Sequence, residues 1–321
     1  MNMIKNSSSN HLGINAPSRN HANDDLLLSR SSIFLLFLSS LAAQGESPAE
    51  LQREIVLNPD PHSEETAYAQ IRKSFGKKSI ESPDLFAGNH QNFTHIQIRD
   101  DHEAGGCFDF FLHRDLDGDR NKEWPLGKSR QRNEIKGYGG SDEGLKATEG
   151  QVTRYTWLFR VNEGMTLTQK FCHFFQLKAV GGNDIATPLF TISGSRSGER
   201  DQLELRLQTS DHASWQRIPV CDWKVCQNQW LSCEIIVRFH EEGYLRARIE
   251  SRDGSISFMK EFPEIDTWRE GSEFVRSKWG IYRSLEDRES ILQKEDVVSF
   301  SQFRIQEWSK LSSVPSLKRQ E

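Results

Sequence analysis

The sequence has no apolar run long enough to cross a membrane as a helix. The longest run, Ser31 to Ala43, falls short of the roughly 20 apolar residues that a spanning helix needs. Excess basic charge is also absent, since the formal net charge is -5 at pH 7, which argues against a general nucleic-acid binder. No long segment repeats apolar residues with the helical period, and no alternation of strands and helices is visible. These absences disfavour Rossmann and α/β-barrel enzymes, and a Gly-x-Ser-x-Gly nucleophile elbow is missing as well.

The five cysteines include no Cys-x-x-Cys pair, and no group of cysteine and histidine has the spacing of a zinc site. A structural zinc site is therefore not expected. An odd number also excludes complete pairing within the chain. Cys221 and Cys226 bracket a short loop and could form a disulfide in an oxidising compartment. Cys107 and Cys172 lie in apolar, strand-like runs and are expected to be buried thiols.

The apolar run near the N-terminus has the features of a secretory signal. Arg30 precedes it, and Ser40 and Ala42 stand at plausible cleavage positions. A long polar lead before the run is atypical, and a buried hydrophobic segment is the alternative. We expect residues 1–44 to be a leader, the mature protein to be secreted or periplasmic, and no part of it to lie in a membrane.

Most of the remaining chain has the pattern of an all-β protein. Residues 45–82 are polar and are expected to form a linker or N-terminal extension, with a short helix around Glu64 to Phe75. Residues 83–308 show short alternating runs separated by turn residues, and 309–321 are expected to be a flexible tail. The predicted strands are Phe93–Arg99, Cys107–His113, Gln131–Lys136, Arg154–Val161, Phe171–Ala179, Leu189–Ser193, Gln202–Gln208, Trp230–His240, Tyr244–Ser251, Ser255–Phe262, Lys278–Arg283 and Phe300–Glu307.

About a dozen strands at this spacing predict a concanavalin-like β-jelly-roll, a sandwich of two antiparallel sheets. The content of 8 Trp and 19 Phe suits the core between two such sheets, which large flat side chains fill. A single domain is expected, and the protein is expected to be a monomer.

The most informative segment is Ser129–Lys136, which as a β-strand contains Arg130, Arg132, Glu134 and Lys136. The period of two places these four side chains on one face. Three cations and a carboxylate are costly to bury and contribute nothing to an apolar core. They suit a cleft that binds an anion, because guanidinium groups match carboxylates in geometry.

Two later segments have the same two-faced character. In the first, Gln176 and Lys178 share a polar face, whereas alternation places His173 on the opposite face unless a bulge re-aims it. In the second, Lys278 and Tyr282 share a face. Three polar faces of this kind could form one concave, anion-binding surface while the other faces fill the core.

In this order, Arg-x-Arg-x-Glu-x-Lys, Gln-Leu-Lys and Lys-Trp-Gly-Ile-Tyr-Arg resemble motifs of the jelly-roll polysaccharide lyases. The alginate-lyase and heparin-lyase-like branches of that family carry an Arg-x-Glu strand, a Gln-x-His strand and a late Lys-x-Gly-x-Tyr strand. The resemblance covers about residues 86–308 through these three short motifs. It implies β-elimination of an acidic, uronic-acid polysaccharide without a cofactor.

The resemblance also implies roles for individual residues. Arg132 and Gln176 would neutralise or orient the uronate carboxylate, Tyr282 would transfer a proton, and Glu134 would hold an arginine in place. Lys178 stands where the family has histidine, and it can act as a base only if burial or nearby cations lower its pKa. The base is then Lys178, Tyr282 itself, or absent, which would leave a binding protein. The further substrate-binding residues expected are Arg130, Lys136, Lys278, Arg283 and His173.

Each signal also has a simpler explanation. The basic strand could be a solvated face paired with acids of a neighbour, Tyr282 a sheet aromatic with its hydroxyl in water, and His173 a core histidine. A non-catalytic carbohydrate-binding protein and a glycoside hydrolase remain alternatives, although a retaining hydrolase needs two carboxylates and only Glu134 stands out. Because the polar face carries little packing, alanine at Arg132 is expected to reduce turnover with the fold intact.

The segment that contains Asp115, Asp117 and Asp119 resembles the start of a calcium loop. Leu126 stands where the bidentate glutamate of such a loop would be. We therefore expect an acidic turn, with a structural calcium ion as the alternative and no metal in the catalytic site.

Overall fold

A computed structural model describes residues 50–120, 130–183, 185–198, 200–208 and 215–313. Fifteen strands and two α-helices lie in these ranges. The strands are β1 (Leu51–Leu57), β2 (Ile80–Glu81), β3 (Ile96–Asp101), β4 (Gly105–His113), β5 (Arg130–Lys136), β6 (Val152–Val161), β7 (Cys172–Val180), β8 (Phe190–Ser197), β9 (Arg200–Leu207), β10 (Gln216–Asp222), β11 (Leu231–Arg238), β12 (Gly243–Ser251), β13 (Ser257–Ile265), β14 (Phe274–Ser284) and β15 (Glu295–Trp308). The helices are α1 (Ala67–Phe75) and α2 (Trp223–Cys226).

The strands form two antiparallel sheets, as the sequence predicts. The first has the order β13-β12-β11-β6-β15-β4-β3, with β1 also paired to β15, and the second has the order β10-β9-β8-β7-β14-β5-β2. Several neighbouring strands, such as β6 and β15 in the first sheet and β5 and β14 in the second, come from distant parts of the chain, which is typical of a jelly roll. The predicted all-β sandwich is confirmed.

Large aromatic side chains from both sheets fill the core. Phe175 of β7 stacks on Trp157 of β6 with ring centroids 4.5 Å apart, and it lies 5.3 Å from Trp279 of β14. Fully burying a side chain of this size contributes about 1.5–3 kcal/mol. Since side chains alternate along a strand, burying Trp279 and Phe175 turns the intervening residues of β14 and β7 to the other face of the sheet.

All twelve predicted strands are present, but β1, β2 and β10 were missed. β1 has an exposed Leu51–Glu54 end and only two buried side chains, so its sequence lacks an apolar face. It nevertheless pairs with β15 from Leu51 to Leu57. The segment expected as a linker or N-terminal extension therefore contributes a strand to the first sheet.

The predicted short helix begins three residues later than expected and ends where expected. The Thr66 side chain accepts a hydrogen bond from the Ala69 backbone N–H at 3.3 Å, which caps α1. Gly76, with φ of 96°, ends the helix in a conformation that favours glycine. The apolar face buries Phe75 against Trp279, with centroids 5.8 Å apart, so the helix closes one side of the core.

Cys221 and Cys226, predicted as a possible disulfide, are free thiols that contact each other. Cys107 and Cys172 are buried, as expected. The predicted leader and the last residues of the predicted tail lie outside the described residues. Within the described ranges, no helix is both long and apolar enough to span a lipid bilayer.

Candidate active site

Cross-strand pairing brings the three sequence motifs onto one surface. β14 lies between β5 and β7, so Lys278 pairs with Lys136 on one side and Gln176 on the other. Four positions further along, Tyr282 stands between Arg132 and His173 in the same way. We call this surface the polar face. Its members are Arg130, Arg132, Glu134, Lys136, His173, Gln176, Lys178, Arg276, Lys278 and Tyr282.

Glu134 is the centre of the polar face. Its carboxylate accepts a hydrogen bond from Lys278 Nζ at 2.5 Å, and others from the Gln176 amide and the Arg132 guanidinium. A second carboxylate, Glu81 of β2, accepts from Lys136 at 2.5 Å and lies 2.9 Å from Lys278 Nζ. The cations of the motifs are thus joined through two acids rather than left in solvent.

This network is nearly sealed from water, and its pKa values reflect that. Burial alone would raise the pKa of Glu81, but Lys278, Arg132 and Lys136 outweigh burial and hold that pKa far below its usual range. Burial, followed by the charge of Arg132, lowers the pKa of Lys278. The predicted pairing with acids of a neighbouring strand is present, but the pairs are buried rather than solvated.

Arg132 is already paired on several sides. Its Nε donates to Asp119 at 2.8 Å, its Nη1 donates to Glu134, and its guanidinium lies 3.6 Å from the centre of the Tyr282 ring. Burial opposes the charge, yet Glu134, Asp119 and Glu81 raise the pKa of Arg132 above its ordinary value. The geometry makes Arg132 a support for Tyr282 and leaves it little capacity to bind a substrate carboxylate.

Tyr282 combines burial with two cationic neighbours. Its hydroxyl accepts a hydrogen bond from Arg130 Nη1 at 2.9 Å, and the residue is only 9% exposed. Burial raises the pKa of the phenol, and Arg132 partly offsets this rise. At neutral pH the group is therefore a protonated phenol. If it gave up its proton, the phenolate would form between two guanidinium groups.

A β-bulge decides where His173 points. The pairing of β7 shifts register between His173 and Phe175 on both of its neighbours. As a result Phe174 and Phe175 both enter the core, where Phe174 stacks on Trp223. His173 then returns to the polar face, 6.0 Å from the Tyr282 ring between centroids. Strict alternation placed it wrongly, and the bulge considered from the sequence is present.

His173 is a neutral imidazole in this environment. Burial, followed by the charges of Arg206 and Arg132, lowers its pKa well below the ordinary value. Nδ1 lies 2.7 Å from Ser193 Oγ, which in turn lies 2.7 Å from Thr191 Oγ1. If Nδ1–H donates to Ser193 and Ser193 donates to Thr191, the lone pair of His173 is on Nε2. Nε2 forms no hydrogen bond with a described residue.

Lys178 and Arg276 pair across β7 and β14 at the far end of the polar face. Lys178 Nζ donates to the Ala186 carbonyl at 3.0 Å. Burial, then Lys278 and Arg132, lower its pKa to about 8. Arg276 Nε has no hydrogen-bond partner among the described residues, and no described carboxylate lies within ion-pair distance of it. Unlike Arg132, these two cations form no direct ion pair with any residue that the structure describes.

The pH dependence of catalysis should separate the two roles that the sequence allows for Lys178. A cation that binds substrate is charged below its pKa of about 8, so its contribution is present below that pH and lost above it. We expect kcat/KM to fall by about tenfold as pH rises through 8, since one charge-assisted contact contributes about 1.5–3 kcal/mol. The Lys178→Gln variant should lack this decrease of kcat/KM. If kcat/KM instead increased as pH rose through 8, and the variant lost that increase, Lys178 would be the base.

Arg283 does not belong to the polar face. It is buried on the core side, where its Nε donates to Gln131 Oε1 at 2.8 Å and its Nη1 pairs with Asp296. The reason is alternation, since Arg283 is one residue beyond Tyr282 on β14. The predicted substrate-binding role of Arg283 is therefore wrong.

The three aspartates of the predicted calcium loop have separate partners. Asp115 pairs with Arg114 at 2.9 Å on the surface, and Asp119 binds Arg132. Asp117 is fully buried and faces imidazole nitrogens. Among the described residues the three carboxylates do not form a common ligand group, and Leu126 lies outside them.

Three members of the site were missed from the sequence. Glu81 lies in the segment read as a linker, and Asp119 was assigned to an acidic turn. Neither carries a local signal, because each meets its partner only in the folded chain. Arg276 did carry a local signal. Lys278 and Tyr282 share a face of β14, and the preceding residue on that face, two positions before Lys278, is Arg276.

No protein-family model and no curated protein matches this chain, whereas solved structures do. A PL-14 alginate lyase from the marine Aplysia kurodai has a TM-score of 0.52 at 12% identity, covering 80% of this chain and 98% of that chain. An endo-β-1,4-glucuronan lyase from the fungus Trichoderma reesei has a TM-score of 0.48 at 12% identity, covering 71% and 93%. At this identity the first likeness shows the fold alone: the chain has the jelly-roll fold of polysaccharide lyases.

Proposed function

We propose that this protein cleaves a uronic-acid polysaccharide by β-elimination on the polar face. The observation that carries the proposal is the position of Tyr282. Its phenol accepts a hydrogen bond from Arg130, lies against the Arg132 guanidinium and stands across the β7–β14 pair from neutral His173. The similarity of fold to an alginate lyase supports the same class of substrate by analogy.

The substrate carboxylate needs cations that are not already neutralised. Arg130, beside the Tyr282 hydroxyl, meets this condition at the reacting sugar, and Arg276 and Lys178 meet it for the carboxylate of a neighbouring sugar, since none of the three forms an ion pair with a described residue. Neutralising the carboxylate makes the proton on the adjacent carbon removable, because charge that develops there spreads onto the carboxylate oxygens. Gln176 donates one amide hydrogen to Glu134 and keeps a second for the substrate.

His173 suits the role of base better than Lys178. Proton removal and protonation of the leaving oxygen occur on one sugar, so the base and the acid must both lie within hydrogen-bond reach of it. His173 pairs directly with Tyr282. Lys178 pairs with Arg276, which lies six positions from Tyr282 along β14, roughly 20 Å at about 3.3 Å per residue. Lys178 therefore fits a neighbouring sugar.

In the elimination, His173 Nε2 takes the proton from the carbon next to the carboxylate. The electron pair forms a carbon–carbon double bond, and the bond from the adjacent carbon to the glycosidic oxygen breaks. Tyr282 gives its proton to that oxygen, and the phenolate is held by Arg130 and Arg132. Return of the proton from His173 to Tyr282 restores both groups after the product leaves.

A retaining glycoside hydrolase needs a carboxylic acid that keeps its proton near neutral pH. Neither Glu134 of the polar face nor Glu81 beside it suits this role. Glu81 has a pKa held low by Lys278, Arg132 and Lys136 against its burial, and both oxygens of Glu134 accept from neighbouring cations or amides. The Tyr282 phenol, whose pKa is raised, does keep its proton at neutral pH and can therefore donate it.

The proposal is tested by incubating the full chain with alginate, glucuronan and a neutral glucan. We expect ultraviolet absorbance from the unsaturated product to grow with an acidic polymer and not with the neutral one. Binding without product would support a carbohydrate-binding module instead. Release of reducing ends without the chromophore would support hydrolysis and overturn the elimination.

Replacing Arg276 by glutamine should weaken substrate binding more than chemistry. We expect KM to rise about tenfold with a smaller change in kcat, because one charge-assisted contact to the polymer is lost. Arg252→Gln is the matched control, since its side chain is 81% exposed and lies on the turn after β12 in the other sheet. An unchanged KM in the Arg276 variant would remove this residue from the substrate site.

A further inference from the structure

Three histidines and an aspartate converge at one end of the sandwich, outside the polar face. His90 Nδ1, His95 Nε2 and His113 Nδ1 lie 2.8, 3.0 and 3.1 Å from the carboxylate of Asp117. One ligand atom from each of the four residues lies within 4.8 Å of the others. The three rings are nearly perpendicular to one another, with interplanar angles of 80–85°.

The far side of two of these rings is also occupied by carboxylates. His95 Nδ1 lies 3.0 Å from Asp84 Oδ1, and His113 Nε2 lies 2.9 Å from Glu295 Oε2. Histidines that bind a metal commonly donate their other ring nitrogen to a carboxylate in this way, which fixes the tautomer. The cluster therefore has both the ligands and the supporting acids of a metal site.

Proton counting distinguishes a metal site from a plain hydrogen-bond cluster. A neutral imidazole has one N–H, so His95 and His113 cannot each donate to two carboxylates. In a neutral ring, one of the two nitrogens therefore turns a lone pair toward a carboxylate oxygen, and a cation bound at that nitrogen removes the repulsion. A divalent ion accepts lone pairs from neutral rings and balances the charge of Asp117 and Asp84.

We propose that His90, His95, His113 and Asp117 bind a divalent transition metal of the zinc class. Three imidazole nitrogens and one carboxylate oxygen suit tetrahedral Zn²⁺, whereas calcium prefers oxygen ligands alone. His95 and Asp117 are completely buried. The Phe93 ring packs on all three imidazoles, with centroids 4.6–5.9 Å away, and shields the site.

The site would tie the segment after β4 to the rest of the sandwich. Asp117 is two residues from Asp119, whose carboxylate holds Arg132 Nε. The metal would thus stabilise the fold and, at a distance, the position of Arg132. The site escaped sequence reasoning because the spacing from His90 to Asp117 matches no short zinc motif, and cysteine is not among its ligands.

The test uses the full chain, loaded with ZnCl₂ and freed of excess metal by gel filtration. We expect stoichiometric zinc by mass spectrometry and a Tm that falls on addition of EDTA and recovers with ZnCl₂. Glu295→Gln, which changes a half-exposed supporting acid, should lower zinc affinity by about 10-fold or more.

His95→Gln is a poor test because that ring is completely buried and its replacement disturbs packing, so His90→Gln, at the partly exposed ligand, is used instead. It should abolish stoichiometric zinc and the response of Tm to EDTA. His102→Gln is the control, since that side chain is 87% exposed, and it should behave like the unchanged protein. A chain that retains no zinc and whose Tm ignores EDTA would overturn the proposal in favour of a protonated histidine cluster.

Discussion

Replacing Tyr282 by phenylalanine is expected to slow the formation of unsaturated product by about 10²- to 10⁴-fold, the contribution that a positioned proton donor makes. The ring keeps its contacts with the Arg132 guanidinium at 3.6 Å and with Phe171 at 5.2 Å. Among the described residues only the hydrogen bond from Arg130 is lost, so stability should change by about 1 kcal/mol. Initial rates at saturating polymer, followed in the ultraviolet, measure the first effect and thermal unfolding the second.

Tyr244→Phe provides the matched control for this change. Tyr244 lies on β12 in the other sheet, and its hydroxyl donates to Glu261 at 2.8 Å. Tyr244→Phe removes the same phenolic oxygen from a residue that is as buried as Tyr282 but lies far from the polar face. We expect a normal rate for this variant. If Tyr282→Phe also kept a normal rate, the phenol would have no part in proton transfer and the mechanism proposed above would be wrong.

Replacing Arg132 by alanine is expected to lower the free energy of unfolding by about 3–5 kcal/mol, the usual cost of breaking a buried ion pair. The change leaves Asp119 and Glu134 without the guanidinium that both contact. That amount is a large part of the 5–15 kcal/mol that typically separates folded from unfolded protein. The sequence alone predicted an intact fold, because an outward strand face carries little packing. Burial of the whole network reverses that expectation.

Urea unfolding at pH 7 measures this loss of stability. An unchanged slope of the unfolding free energy against urea concentration confirms that the unfolded states are comparable. Arg53→Ala is the control. Arg53 pairs with Glu307 at 3.4 Å on the surface, with 42% of its side chain exposed, so its removal should cost less than about 1 kcal/mol. Equal losses of unfolding free energy in the two variants would mean that the Arg132 side chain is exposed to solvent rather than held in a buried ion pair. It would then be available to bind a substrate carboxylate after all.

The charged side chains in and around the polar face form two groups. Arg132, Lys136 and Lys278 are balanced by Glu81, Glu134 and Asp119, and this balanced layer supports the site. Arg130, Lys178 and Arg276, which form no ion pair with a described residue, lie around this layer. A buried, balanced layer holds Tyr282 in one geometry, which a mobile cluster of surface cations could not do.

The sequence by itself determined the features that depend on nearest neighbours. Alternation along β5 and β14 placed Arg132 with Glu134, and Lys278 with Tyr282, on common faces, because successive side chains of a strand point to opposite sides. The short helix expected around Glu64 to Phe75 is present at Ala67–Phe75. The short, regularly spaced runs were enough to predict a two-sheet β sandwich.

Only the tertiary structure decided which charges meet. Glu81 reaches Lys136 across 55 residues of chain, and Lys278 reaches Glu134 across 144. The bulge that turns His173 to the polar face arises from the register of β7 against β8 and β14. Side-chain alternation is a property of local backbone geometry and can be read along the chain. Electrostatic pairing and burial act through space, so they are set only when distant strands come together.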